Sequence, residues 1–493
     1  MQLPVLVAVD LGAESCRVSL LTWEGSVPVV RLVHRFPNAP KDDGGTLTWD
    51  IRAIVAGVED GLRLCAEASE RAIDAMGVDG WAVDYIRLGS DGKAIREPFC
   101  YRDERTVRSE KEVHEIISPD RLYGLTGIQL LRLNTLYQLY ADSQCGIEQK
   151  VPWLNLPEYI THHLGGRCVA EYTNATHTGL VSLGKHEWCQ KLFSRTGLDI
   201  TAAPPIESTG SFVGRMRGPL SELAAFHNTR LIVPATHDTA SAIAGISAEG
   251  DDWAFISSGT WSLVGTLLSE PCVSDRARNK NFTNLGGAGG KICFLKNVNG
   301  MWLLKQCIDY WQSQGNDCAI DALVHECAEL PPPDHLLDVD DPDLLLPGDM
   351  PGKINAQREH SGKRPLRVDD YAGFASTIFH SLAARYAEVL QDITATTGKK
   401  IKRLCIVGGG SRNMLLNQLT AARTGLEVRL GSAESATVGN FAIQLAAFHG
   451  DYDPCTGVRA AAVAKWADIL ASAFPADLQG ARERNQAAFA ARR

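Results

Sequence analysis

The sequence predicts an α/β protein built from two domains. Apolar runs of strand length alternate with segments of helical spacing along the chain. Both halves open alike, with a strand, a glycine-containing polar turn and a second strand. The 493 residues are also too many for one ordinary core, so two domains of roughly 200–250 residues are the natural division.

Val5 to Val9 is a continuous apolar run ended by Asp10 and Gly12, and Arg17 to Trp23 is a second one, which together predict a hairpin. A third strand is expected from Val29 to Phe36. Ile51, Ile54, Val55, Val58, Leu62 and Cys65 then follow helical spacing, with Asp50 placed as an N-cap. Strands are expected again at Ile73 to Val78 and Ala82 to Leu88. In the second half Trp253 to Ile256 and Trp261 to Leu267 flank the turn Ser257-Ser-Gly-Thr260. Leu330 to Lys353, rich in Pro and Asp, reads as a surface loop. A long helix through Phe374, Ile378, Leu382, Tyr386, Leu390 and Ile393 stops at Thr397-Gly398. Ile401 to Val407 is expected as a strand, Asn413 to Gly425 as a helix, Leu426 to Leu430 as a strand and Glu434 to Phe448 as a helix. Ala460 to Phe474 has the pattern of a last amphipathic helix, followed by a polar end. The expected division is 1–248, 249–450 and a helical tail, 451–493.

Composition narrows the function. With 45% hydrophobic and 22% charged residues, the chain has the balance of a folded globular protein. A net charge of −9 argues against nucleic-acid binding through bulk positive charge. No stretch reaches the about 20 apolar residues of a spanning helix. Met1 to Leu6 is too short and uncharged for a signal peptide. The thirteen cysteines are scattered and never form a C-x-x-C pair, which points to a reducing cytoplasm rather than a disulfide framework.

Two familiar nucleotide signatures are missing, the P-loop pattern and a G-x-G-x-x-G after a strand. Four glycine or acidic turns remain. In Asp10-Leu-Gly-Ala-Glu-Ser15-Cys-Arg17, small residues let backbone N–H groups face a phosphate. Asp10 is placed to hold Mg²⁺, directly or through water, and Arg17 to add positive charge. The alternative is a plain hairpin with an Asp in its turn. Ser257 to Thr260 offers hydroxyls and N–H groups to a phosphate, although Ser-Gly turns are common. Gly408-Gly409-Gly410 lies between a strand and a helix, where bare backbone lets a flat ring approach. Asp238, in Thr236-His237-Asp238-Thr239, stands at a strand-to-helix junction, either as a base for a bound hydroxyl or as a helix cap. Asp84, His237 and Asn297 are further polar candidates. Trp81 is placed either to stack on a ring or to fill the core, and Tyr101-Arg-Asp103 reads as a surface ion pair.

Taken together and in order, VAVDLGAESCRV, TWD at Thr48 to Asp50, VDGWAVD, YRDERT, LNTLYQL, EYTNAT, THDTAS, ISSGTWSLVG, NVNGMWLL, IVGGGSRNMLLNQL and ESATVGN resemble the FGGY family of carbohydrate kinases. Within it the chain most resembles the members that phosphorylate L-rhamnulose in L-rhamnose catabolism. The resemblance implies two actin-like (ribonuclease H-like) domains around a central cleft, the first binding sugar and the second ATP. It implies Asp238 as the base, with Ala82, Asp84, His237, Thr239 and Asn297 on the sugar. Ala13, Glu14, Ser15, Cys16, Arg17, Thr260, Lys305 and Gly409 are implied for ATP, and Asp10 for Mg²⁺. Ala82, Cys16 and Lys305 depart from the family pattern, which has Gly, Gly and Gln there. The expected partners are the sugar and ATP alone, with no nucleic acid and no membrane, in a monomer or homodimer. The other readings are a kinase for L-fuculose, xylulose, ribulose or a polyol, and an actin-like ATP-binding protein without sugar kinase activity.

Overall fold

The computed structural model describes residues 3–316, 320–471 and 473. They fall into two compact units. One takes in the chain up to Glu249, Leu267–Phe294 and the residues from Glu434 on; the other takes in Gly250–Thr266 and Leu295–Ala433.

The first unit is organised by a six-stranded sheet in the order Phe212–Arg215, Arg230–Ile232, Ala75–Gly80, Leu6–Leu11, Ser15–Glu24 and Val27–Pro37. Leu6–Leu11 runs antiparallel to Ser15–Glu24 and parallel to Ala75–Gly80. Side chains alternate across a strand, and both faces of this one are covered. Val5, Val7, Val9 and Leu11 pack with Ile51, Ile54, Val58 and Leu62 of the helix Ile51–Ala68. Leu6 and Ala8 pack with Val438, Phe441 and Leu445 of the helix Ser435–Phe448 and with Ala240 of the helix Asp238–Ala244. Asp10 shares the parity of Leu6 and Ala8, so the pleat turns it to the face that carries these two helices.

In the second unit Trp253–Ser258 pairs antiparallel with Trp261–Leu268 and parallel with Arg403–Val407, which pairs parallel with Glu427–Leu430. The helix Tyr371–Thr397 ends on Gly398, whose φ of 72° is the left-handed conformation that closes a helix at little cost for glycine. Asn413 caps Met414–Thr424, accepting from the Leu416 N–H at 3.0 Å.

Several details differ from the sequence expectation. The stretch read as a loop from Leu330 to Lys353 carries a short 3-10 turn, Pro342–Leu345, and the start of the helix Met350–His360. Pro351 in its first turn disguises that helix, although proline suits the position because no intrahelical N–H is needed there. The strand expected over Ala82 to Leu88 shortens to Tyr85–Arg87. Asp103 is buried, not on the surface, and its carboxylate accepts from the backbone N–H groups of Leu47 and Arg105. The last helix covers Ala460–Ala471, and the polar end expected after it lies outside the described residues.

Candidate active site

Asp10 sits where the first strand ends, and register sets its neighbours. It lies opposite Arg17 on one side and Asp79 on the other. Arg17 Nη1 approaches Asp10 Oδ2 at 3.2 Å while its Nε faces Glu434 Oε2 at 3.1 Å, so one guanidinium serves two carboxylates. Burial raises Asp10 to about 6, with Arg17 pulling the other way. In the turn, a Cβ on Gly12 would meet the Ser15 carbonyl oxygen at 2.4 Å, so glycine is required there. Ala13, Glu14 and Ser15 keep some exposure, whereas the Cys16 side chain is fully buried in the core, where desolvation lifts its thiol to about 12. Only its backbone is available to a ligand.

Asp79 is fully buried, and its Oδ2 accepts from Asn440 Nδ2 at 2.6 Å. Gln444 on the same helix donates to the Val7 carbonyl at 2.9 Å and to Asn440 Oδ1 at 2.7 Å. Gly77 makes room, since a Cβ there would lie 2.8 Å from Asn440 Oδ1. Burial first, and then the charge of Asp10, push Asp79 well above the usual carboxylate range.

Asp238 is the first residue of the helix Asp238–Ala244, and His237 holds the N-cap position, so Asp238 does not cap it. Its Oδ1 accepts from the Thr239 N–H at 2.5 Å and the Thr239 hydroxyl at 3.2 Å. The side chain remains 35% exposed, and desolvated surroundings followed by the negative Asp10 raise it to about 7. Two constraints fix the helix. Ser435 Oγ donates to the Ala242 carbonyl at 2.8 Å, and a Cβ on Gly439 would lie 1.8 Å from the Ser241 carbonyl oxygen. The preceding turn is held from behind by two buried glutamates. Glu158 Oε1 lies 2.6 Å from Thr236 Oγ1, and Glu171 Oε2 accepts from the Thr236 N–H at 3.0 Å.

His237 is buried, with Nε2 3.5 Å from Asp238 Oδ1 and its ring 4.8 Å, edge to face, from that of His177. Burial lowers both imidazoles, His177 to about 4 and His237 well below its ordinary value, so both are neutral at pH 7. The Trp81-Ala82-Val83-Asp84 segment is buried throughout. Asp84 Oδ2 accepts from Trp49 Nε1 at 2.6 Å and Trp81 Nε1 at 3.0 Å, and Oδ1 from Gln138 Nε2 at 3.1 Å. With no exposed surface, Asp84 braces the two tilted indoles. Val83 adopts φ of 72°, a strained state for a β-branched residue, and its carbonyl accepts from Thr135 Oγ1 at 2.7 Å.

Thr260, Asn297, Lys305 and Gly409 belong to the second unit. The backbone N–H groups of Met301 and Trp302 donate to the carbonyls of Gly259 and Thr260, which fixes the Ser257–Thr260 turn. Gly300 permits the approach, because a Cβ there would meet the Gly259 and Thr260 carbonyl oxygens at 2.8 Å. Two of the three consecutive glycines are explained by packing. Cβ atoms on Gly408 and Gly410 would meet the Ser258 carbonyl oxygen and Cβ, each at 2.7 Å, whereas one on Gly409 meets nothing within 4 Å. Asn297 is half-buried, and Lys305 is ion-paired with Asp309 at 2.7 Å.

The fold thus gathers Asp10, Arg17, His237, Asp238 and Thr239 in the first unit together with residues not singled out from the sequence. These are His177, Asp79, Glu158, Glu171, Glu434 and Asn440. The one signal for four of them was their place in VDGWAVD (Asp79), EYTNAT (Glu171) and ESATVGN (Glu434, Asn440).

Models of the FGGY family of carbohydrate kinases match residues 5–245 with the N-terminal domain and 254–448 with the C-terminal domain. The rhamnulokinase of Enterobacter sp. (strain 638) is 37% identical over 446 residues, 89% of this chain and 88% of that protein. The rhamnulokinase of Bacteroides thetaiotaomicron is 36% identical over 444 residues, 89% of each. The crystal structure of xylulose kinase from Rhodospirillum rubrum superimposes with a TM-score of 0.72 at 15% identity, covering 99% of this chain and 98% of that one. At that identity the likeness is one of fold, the actin-like α/β architecture of the sugar kinases.

Proposed function

The chain belongs to the FGGY family of carbohydrate kinases, and on that premise we propose that it transfers the γ-phosphoryl group of ATP to the 1-hydroxyl of L-rhamnulose. The observation that carries the mechanism is Asp238, a partly exposed carboxylate raised to about 7 on a helix packed closely against Ser435–Phe448. A base works best with a pKa near the working pH. Asp238 takes the proton of the sugar hydroxyl as that oxygen bonds to the γ-phosphorus, and the bond from phosphorus to the bridging oxygen breaks to release ADP. His237 and Thr239, neutral and adjacent, orient the sugar's hydroxyls. Trp81, braced by Asp84, lines the sugar side. The identity of the sugar is supported by relatives that are themselves rhamnulokinases.

In the first unit phosphate binding falls to the turn Gly12 to Arg17, where backbone N–H groups suit an anion; in the second unit the Ser257 to Thr260 turn offers hydroxyls of the kind a phosphate takes. Asp10 fits Mg²⁺, which asks for one or two carboxylates beside phosphate oxygens and whose positive charge suits an anionic site held partly dry. When bound, Mg²⁺ supplies charge neutralisation at the β- and γ-phosphates. Cytoplasm is the compartment this reaction calls for, and the cysteines among the described residues are all free thiols.

Two predictions follow the geometry. First, kcat/KM falls on the acid side with an apparent pKa near 7, because protonating Asp238 removes the base. The slope expected is about tenfold per pH unit below that point, read from initial rates across pH 5–8. Second, Gly409→Ala raises KM for ATP with little change in melting temperature, while Gly410→Ala lowers the melting temperature, since only the second Cβ collides with Ser258. Calorimetry and ATP titrations of the two variants separate these effects. Substrate identity is tested by an ADP-coupled assay on L-rhamnulose, L-fuculose, xylulose and ribulose. A kcat/KM for L-rhamnulose below that of another ketose overturns the proposal.

A further inference from the structure

Behind the Asp238 turn, two buried carboxylates converge on one hydroxyl. Thr236 Oγ1 lies 2.6 Å from Glu158 Oε1 and 3.2 Å from Glu171 Oε2. A threonine hydroxyl has one hydrogen to donate and lone pairs to accept with. Glu171 is the better furnished of the two to carry the charge, since its hydrogen bonds work against the burial that raises it. Its Oε2 also receives the N–H groups of Thr173 and Thr236, each at 3.0 Å, and the Thr173 hydroxyl at 2.5 Å; its Oε1 receives the Thr209 hydroxyl at 2.6 Å. Glu158 is furnished more sparsely, by the Asn174 amide at 3.1 Å and the Glu171 N–H at 3.2 Å. The one Thr236 hydrogen leaves a contact without a hydrogen either way: the 3.2 Å one to Glu171 if it points to Glu158, the 2.6 Å one to Glu158 if it points to Glu171. A carboxylic acid at Glu158, donating to Thr236 Oγ1 while the threonine hydrogen goes to Glu171, puts a hydrogen in both contacts.

We propose that Glu158 is a positioning residue that keeps its proton up to the neutral range, and that the relay from Glu158 through Thr236 to Glu171 is a proton-dependent clamp on the turn carrying Asp238. The inference deepens the reading of Asp238 as the base and rests on it. Burial foremost, and the facing Glu171, raise Glu158 to about 7. The charged groups facing the helix Leu156–His163 are these, with Lys93 and Asp91 on the turn that meets Tyr159 and His162 at its far side. Ala170–Glu171 brings Glu171, Tyr172–His177 the neutral Asn174 and His177, Ala75–Gly80 the Asp79 carboxyl bonded to Asn440, and Tyr85–Arg87 an arginine paired with Asp142 at 2.8 Å. On its own helix His163 bonds Glu59 and His162 the Gly166 carbonyl. Loss of the Glu158 proton therefore sets two anions against one hydroxyl and loosens the turn. Because the folded value lies above the ordinary 4.5, the stabilising contribution is full below that value and is lost as pH rises through about 7.

Glu158→Gln and Glu158→Ala test this on the full-length enzyme, with kcat, KM and melting temperature measured from pH 5.5 to 9. Displacing a catalytic group typically costs about 10²-fold or less, so E158A loses kcat by about 10- to 100-fold. E158Q recovers most of that loss, because a carboxamide N–H donates to Thr236 as the acid does. Wild-type kcat declines above about pH 7, and E158Q lacks that decline. Wild-type melting temperature falls relative to that of E158Q between pH 5.5 and 8. Equal inactivity of E158Q and E158A, or the same alkaline decline in wild type and E158Q, overturns the clamp. Should E158A not fold, the E158Q comparison alone decides. The melting arm does not depend on Asp238, so a failure of the base assignment, read separately from Asp238→Asn, stays distinguishable from a failure of the clamp.

Discussion

Asp238→Asn lowers kcat by roughly 10²–10⁴-fold, the range for removing a general base, while the protein keeps its fold. The amide is the same size and still accepts from the Thr239 N–H and hydroxyl, so the helix start is undisturbed. What is lost is the proton acceptor. KM for the sugar changes little, since the substitution leaves the hydrogen-bonding surface in place. The acid limb near pH 7 also disappears from the residual rate, because the group that titrates there is gone. Circular dichroism and steady-state kinetics on the purified variant check both statements. A folded variant with wild-type turnover removes Asp238 from the mechanism.

Gly439→Ala is expected to damage both stability and turnover through a single methyl group. Its Cβ would sit 1.8 Å from the Ser241 carbonyl oxygen, and 2.9 Å from the Gly245 nitrogen. Both neighbours are backbone, so neither can rotate away. The helices Asp238–Ala244 and Ser435–Phe448 must separate, and overpacking of this kind costs about 1–3 kcal/mol. Separation also moves Asp238 and strains the Ser435 bond to Ala242 and the Asn440 bond to Asp79. A misplacement of about 1 Å at a catalytic group costs up to about 10²-fold in rate. A lowered melting temperature together with lowered kcat is the expected result. The contrast with Gly409→Ala, where nothing collides, is internal to the molecule.

How much of this was legible in the sequence depended on how local each feature is. Alternating strand and helix patterns gave the α/β class, and both glycine hairpins fell where expected, because a turn and its flanking strands are set by adjacent residues. Asp10, Arg17 and Asp238 stood out because each marks the end or edge of an element. Glu158 did not, and nothing local joined it to Glu171 or Thr236. They meet from three segments, and a glutamate in a helix reads as solvent-exposed until the fold buries it. His177 was not singled out, because nothing local shows that its ring meets that of His237. Asp84 was read as a ligand contact by resemblance, yet its position beneath two tryptophans follows from Trp49, which the sequence places far from it. The helix Ser435–Phe448 follows the second half's strands along the chain, and its polar residues Asn440 and Gln444 bond the first unit's strands. Sequence proximity cannot reveal a helix that returns to the sheet where the chain began.

The most direct test is phosphorus-31 magnetic resonance of the protein with L-rhamnulose, ATP and Mg²⁺, run beside Asp238→Asn. The account predicts one new sugar phosphomonoester, attached at carbon 1, growing in step with ADP for the wild type and nearly absent for the variant. Inorganic phosphate in place of the ester, or an ester formed as fast by the variant, would contradict it.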